Sequence, residues 1–354
     1  MAISPVPHGA LDYAELERLG LDPEGVLDFS VNSNAYGPSP AVREAVARVP
    51  LDRYPDREAL ALRRALAERL DMAPVRLVVG NGTAELIWLV AFAFLQPKDR
   101  VLVSGPTFGE YRRAASLMGA QVQMWIAGPE QEFVADPEEV EQRIREMRPR
   151  MVFVCNPNNP TGTVLPPEVM AAWAYTHPGA LFVIDEAYLA FAPGLQSVLN
   201  AGADNILVLR SMTKDYALAG LRLGYAVGHV PIIAALSRIR PAWNVNALAQ
   251  AAGLAALGDE AHRQQSLQAL ARAKEELVAG LAELGLPPLP STTHFFLVPV
   301  GNGATFRRAL LRQGILVRDC VSFGLPAYVR IASRRPEENA RLLEAIRTVL
   351  SGDT

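Results

Sequence analysis

Between Leu77 and Val227, short β-branched runs alternate with longer helical stretches, and this alternation constrains the fold more than any other feature of the chain. Strands are expected near Leu77–Val79, Val101–Val103, Val122–Trp125, Met151–Val154, Phe182–Ile184, Ile206–Leu209 and Gly224–Val227. Helices are expected between them at Thr83–Leu95, Tyr111–Met118, Pro137–Met147 and Pro166–Tyr175. Strands that are apolar throughout must be buried on both faces, so the pattern predicts an α/β fold with a mainly parallel seven-stranded sheet covered by helices. Ligands in such sheets bind beyond the carboxyl ends of the strands. The loops after each run are therefore the place to look for chemistry.

Those loops are polar. Gly80-Asn81-Gly82-Thr83-Ala84-Glu85 turns from a strand into a helix whose free N–H groups suit a phosphate, although a plain turn reads the same way. Phe108 follows the next strand, where its ring would stack on a flat ligand or pack in the core. Asn156-Pro157-Asn158-Asn159-Pro160-Thr161-Gly162 is a rigid polar loop, and Asp185-Glu186-Ala187-Tyr188 ends an apolar strand. A carboxylate there is costly unless it meets a cation, and a protonated pyridine nitrogen is such a cation. After Ile206–Leu209 come Ser211, Thr213, Lys214 and Arg222, a grouping suited to a lysine that carries an aldehyde cofactor, with hydroxyls and a guanidinium for its phosphate.

The flanks read differently. Asp12–Leu19 is expected to be a short helix closed by Gly20, and Leu27–Pro38 a strand running into an Asn/Gly/Pro elbow. Helices are expected from Pro40 to Val49 and Glu58 to Leu70, around the loop Arg53-Tyr54-Pro55-Asp56. Beyond Pro241 a long helical region, Asn246–Leu284, would connect to strands at Phe295–Pro299, Ile315–Val317 and Tyr328–Ile331 with helices at Thr305–Arg312 and Pro336–Leu350. The expected division is a large domain over 40–240 and a small α+β domain formed by 1–39 with 241–354.

Half of the 354 residues are hydrophobic, enough for a sizeable core, and a net charge of -3 gives no reason to expect a nucleic-acid or anionic-membrane partner. Cys155 and Cys320 lack metal-ligand spacing and fit a reducing compartment, so no metal is expected. Met1–His8 lacks the basic-then-apolar pattern of a signal peptide, and Leu86–Leu95 is too short to span a bilayer. The expectation is a cytoplasmic protein. His8, Tyr13 and Arg18 read as exposed polar residues rather than pocket lining.

Taken in order, the glycine turn, Pro106-Thr107-Phe108, the Asn/Pro loop, Asp185-Glu186-Ala187-Tyr188, Thr213-Lys214 and Gly220-Leu221-Arg222-Leu223-Gly224-Tyr225 resemble the class I/II aminotransferases of fold type I, which use pyridoxal 5'-phosphate. The resemblance covers essentially the whole chain and is nearest the branch holding histidinol-phosphate aminotransferase and threonine-phosphate decarboxylase. Arg53-Tyr54-Pro55-Asp56 and Leu218–Arg222 look like the aminotransferase; His8-Gly9 before Leu27–Ser30, the Thr213-Lys214 pairing, Trp243–Asn246 and Arg318-Asp319-Cys320 lean towards the decarboxylase. The resemblance implies that Lys214 binds the cofactor covalently and shuttles the proton, that Asp185 pairs with the ring nitrogen, and that Asn159 and Tyr188 hold the phenolic oxygen. It implies Phe108 stacked on the ring, Gly82, Thr83, Ala84, Ser211, Thr213 and Arg222 around the phosphate, and Tyr54 reaching the phosphate of a neighbouring subunit in a homodimer. Asn34 and Arg330 would meet the substrate carboxylate, with Ala35 standing where the family usually has proline.

The leading expectation is transfer of an amino group between a small, phosphorylated amino substrate and a 2-oxo acid. The first alternative is L-threonine-O-3-phosphate decarboxylase of cobalamin biosynthesis. A catalytically silent, cofactor-binding regulator is the third, disfavoured because Lys214 and Asp185 are both present.

Overall fold

The structure, a computed structural model, describes residues 7–352. The signal-peptide reading of Met1–His8 therefore lies mostly outside the described residues. The seven expected strands form one sheet, in the spatial order Leu77–Asn81, Leu223–Gly228, Ile206–Ser211, Leu181–Asp185, Met151–Cys155, Arg100–Gly105, Gln121–Ile126. Neighbours pair in parallel except around Leu223–Gly228, which runs antiparallel to both of its partners. Alternation along a single strand shows why the runs are apolar throughout. Met151, Phe153 and Cys155 face one core, which also holds Leu86, Val90 and Tyr111. Val152 and Val154 face the other, with Val140, Ile144, Met170 and Trp173.

The helices fall close to expectation: Gly82–Phe94, Glu110–Leu117, Pro137–Met147 and Pro167–Thr176. Asp136 caps the third by accepting the N–H groups of Glu138 and Glu139. A helix at Val230–Ile239 was not anticipated; it packs Ile232, Ile233 and Leu236 against the first core. The long helical region is broken in two, Ala247–Gly258 and Glu260–Glu283, because Asp259 leaves helical geometry at φ -119, ψ 62 and caps the second helix through His262 N–H.

The elements after Phe295 build a second core with the N-terminal segment. Phe295–Pro299, Tyr328–Ala332 and the unanticipated short strand Arg318–Asp319 form an antiparallel sheet. Leu27–Asp28 pairs in parallel with Ile315–Leu316, and the Ala332 N–H donates to Phe29 O at 3.0 Å. Phe29, fully buried, packs there with Phe296, Ile331 and Leu342. This stitching carries Ser30–Asn34 to the carboxyl edge of the large sheet, where the Asn34 N–H donates to Lys214 O at 2.9 Å. No helix among the described residues is long and apolar enough to cross a membrane.

Candidate active site

Strand register assembles the site. Asp185 and Cys155 are Cα partners at the ends of adjacent strands, and Ser211 ends the next one, opposite Gly224. Because Leu223–Gly228 runs the other way, it starts at this same edge and delivers Arg222 beside the Lys214 loop. Thr83, Ala84, Phe108, Asn159, Asp185, Tyr188, Thr213, Lys214 and Arg222 consequently line one cavity of about 110 Å³. Ser211 stands behind it, its Oγ 2.7 Å from Thr213 Oγ1. Gly82 has φ +75, and a Cβ on it would lie 2.8 Å from Arg222 Nη2; a Cβ on Gly224 would lie 2.8 Å from Thr83 N. Both glycines are needed for the helix start, with its free N–H groups, to approach the guanidinium. The cradle so formed suits a phosphate.

Asp185 is buried. Its Oδ2 accepts the Tyr111 hydroxyl at 2.8 Å and its Oδ1 accepts the Ala187 N–H at 3.0 Å. It forms no ion pair among the described residues, and burial pushes its pKa up. A buried carboxylate without a cation fits a protonated ring nitrogen. Lys214 is the complementary case: burial first, then Arg330 and Arg222, lower its pKa to about 8. Its Nζ makes no hydrogen bond or ion pair among the described residues and lies 5.8 Å from the Tyr188 ring centroid. Burial raises the Tyr188 pKa, keeping the phenol a hydrogen-bond donor, and its ring meets Phe295 edge-on at 4.8 Å. These residues fit pyridoxal phosphate at every polar point: a free amine, an unpaired carboxylate, a phenol and an anion cradle.

Phe108, Asn159, Tyr188, Lys214 and Arg222 also line a larger cavity of about 530 Å³. Arg330 lies on its wall, buried, donating to Asn159 Oδ1 and Ser30 O while Nε is left without a partner. No carboxylate forms an ion pair with it among the described residues, so this buried cation calls for an anionic ligand.

Asn34 corrects the sequence reading. Its Nδ2 donates to Asp215 O at 3.0 Å and Ser266 Oγ at 2.7 Å, and its Oδ1 accepts the Tyr36 N–H at 3.1 Å. The amide is spent on bracing the elbow around Ala35. Asn32 lines the larger cavity instead, its amide buried next to the Tyr188 hydroxyl and free of the bracing bonds that hold Asn34. Residue type does not separate two asparagines in one loop, so nothing in the sequence marked the difference. Arg318 was also missed as a site residue. It lines the same cavity, its Nη2 donating to Pro7 O at 2.8 Å and Ser322 Oγ at 2.6 Å, and its only sequence signal was the triplet Arg318-Asp319-Cys320. His8 lines this cavity too, against expectation, whereas Tyr13 and Arg18 are exposed as expected. Tyr54 is not brought to the cavity: it is 80% exposed and stacks on Trp243 with ring centroids 4.7 Å apart.

Comparison with known proteins agrees with this geometry. Residues 24–346 match the family profile described as aminotransferase class I and II. A histidinol-phosphate aminotransferase of Symbiobacterium thermophilum is 39% identical over 94% of this chain and 92% of its own length. Among solved structures, the histidinol-phosphate aminotransferase of Sinorhizobium meliloti in complex with pyridoxal-5'-phosphate superposes with a TM-score of 0.85 at 25% identity, covering 95% of this chain and 94% of that one. The L-threonine-O-3-phosphate decarboxylase of Porphyromonas gingivalis gives 0.80 at 27% identity, covering 91% and 99%. With the family profile spanning most of the chain and a lysine, a carboxylate and an anion cradle meeting at the sheet's carboxyl edge, the chain belongs to the class I and II aminotransferases.

Proposed function

We propose that this aminotransferase takes the amino group of histidinol phosphate, or a close phosphorylated amine, and passes it to a 2-oxo acid. The observation that carries the reading is the larger cavity, where Lys214 shares its walls with Arg222, Arg330 and Arg318. Arg222 is taken up by the cofactor's phosphate, which leaves two buried guanidinium groups for the anionic ends of substrates.

When bound, pyridoxal 5'-phosphate supplies an electrophilic aldehyde and a ring that takes up the electron pair released at the substrate's α carbon. Asp185 keeps the ring nitrogen protonated, its own position fixed by Tyr111 and Ala187. Asn159 and Tyr188 would hold the ring's oxygen, and Phe108 would lie against the ring. Gly82, Thr83, Ala84, Ser211, Thr213 and Arg222 would hold the phosphate. With its pKa lowered to about 8, roughly a tenth of Lys214 is neutral at pH 7, far more than for an ordinary lysine, so its Nζ is able to take the proton from the α carbon and return it elsewhere. Arg330 and Asn32 meet the carboxylate of the amino-acid partner, and Arg318 with Ser322 receives the substrate phosphate.

Tyr54, exposed beside Trp243, completes the phosphate site of a second copy, making the working unit a homodimer. The chain divides into a cofactor domain over 40–240 and a substrate-side domain of 1–39 with 241–354, and it works in the cytoplasm.

A second reading, decarboxylation of threonine phosphate, is supported by the Porphyromonas relative and by His8 lining the cavity. The test is to supply histidinol phosphate with 2-oxoglutarate, and separately threonine phosphate, and quantify glutamate and carbon dioxide. Glutamate formed from histidinol phosphate is the expected outcome. Stoichiometric carbon dioxide from threonine phosphate, without amino transfer, overturns the reading.

A further inference from the structure

The larger cavity is lined by cations suited to anionic ligands, yet one carboxylate, Glu110, lines it as well among the described residues. Its side chain is only 5% exposed. Oε2 accepts Trp88 Nε1–H at 3.1 Å, and Oε1 accepts Arg113 Nη1 at 3.3 Å. Trp88 and Arg113 come from scaffold helices and hold the carboxylate in place. Its third partner does not: His8 Nε2, 3.2 Å from Oε1, belongs to the segment Pro7–Ala10 and has a side chain 48% exposed. That segment is tied down by the Ala10 N–H on Ser30 Oγ at 2.8 Å and by Pro7 O on Arg318. Partial burial lowers the His8 pKa, while the contact with Glu110 pulls it the other way. The ring lies 5.5 Å from that of Phe108. An imidazole thus sits on a buried carboxylate beside Phe108, carried by a short segment anchored through Pro7 and Ala10.

We propose that Glu110 is the recognition point for an N–H-bearing heterocycle on the substrate side chain, and that His8 keeps this place until the substrate ring displaces it. The inference rests on the histidinol phosphate reading and deepens it: the amine goes to Lys214, the phosphate to the arginines and the imidazole N–H to Glu110. Exchanging one imidazole for another conserves the hydrogen bond to the carboxylate, so the ring enters at little cost. A substrate with an aliphatic side chain either leaves His8 in place or leaves Glu110 one donor short.

Two measurements on the cofactor-loaded enzyme test this. In the first, kcat/KM is compared for histidinol phosphate and 2-aminopropyl phosphate, which has the amine and the phosphate but no ring. Glu110→Gln should lower the ratio of the two about tenfold, the size of a lost charge-assisted hydrogen bond. An unchanged ratio overturns the assignment. In the second, calorimetry follows imidazole binding. His8→Ala, which vacates Glu110 without disturbing the core, should bind imidazole about tenfold tighter than wild type, and adding Glu110→Gln should abolish the gain. Equal affinity in all three proteins overturns the proposal whichever amine is turned over. If the wild type fails to turn over histidinol phosphate, the substrate reading falls, and the imidazole titration still decides the role of Glu110.

Discussion

The two halves of the cavity are built by different rules. At the cofactor end, residues arrive from strand ends and the loops directly after them, so Asp185, Lys214 and Arg222 are placed by the register of one sheet. At the substrate end, residues are far apart in sequence: Arg330 reaches Ser30 across 300 positions and Arg318 reaches Pro7 across 311. The first half is held by a stiff, doubly covered sheet, the second by contacts between the N-terminal segment and the C-terminal elements. Chemistry that must stay fixed sits on the stiff part. The selection of substrates proposed above would fall to the part where distant segments meet.

This contrast predicts which kinetic constant each mutation moves. Lys214→Ala should have the largest effect, lowering kcat roughly 10⁴-fold or more because the proton-transfer amine is gone. Borohydride reduction of the wild type followed by peptide mapping should place the cofactor on Lys214; recovery on another lysine breaks the assignment of the stiff half. Asp185→Asn should come next, with kcat down about 10²- to 10³-fold while the cofactor remains bound, the scale of losing a preorganised charge partner. Near-normal kcat there would show that the ring nitrogen is not the partner of this carboxylate.

At the substrate end the losses should fall on KM. Arg330→Lys keeps the charge and loses the fork, so KM for 2-oxoglutarate should rise on the order of tenfold with kcat less affected. A pure kcat loss would erase the contrast between the halves. The smallest test separates the two asparagines. Asn32→Ala should raise KM by several-fold, whereas Asn34→Ala, which removes three hydrogen bonds, should cost about 1–3 kcal/mol of stability measured by thermal unfolding. The opposite result would restore Asn34 to the site.

Lys214 also gives the stiff half a pH signature. In the proposed role its neutral amine would take up the cofactor, and with a pKa of about 8 that fraction grows as pH rises. Uptake of pyridoxal phosphate by the apo-protein should quicken about tenfold from pH 7 to pH 9 and level off above. Stopped-flow absorbance measures this, and a midpoint near the ordinary lysine value would mean that the burial is lost in the apo-protein.

The seven-stranded sheet was legible in the residues alone, because apolar runs of strand length spaced by helices have few other ways to be buried. The residues also pointed to most of the cofactor end, since each motif directly follows a strand and short-range connectivity sets its position. Three features rest on long-range packing: Asn32 and not Asn34 lines the cavity, Arg318 and His8 join it, and Tyr54 lies away from it. Each depends on which distant segment packs alongside, and in particular on the pairing of Leu27–Asp28 with Ile315–Leu316, which sets the position of the asparagine loop. Local residue patterns encode which face of a strand is buried. They do not encode which hydrogen-bond partner a segment from the far end of the chain will bring.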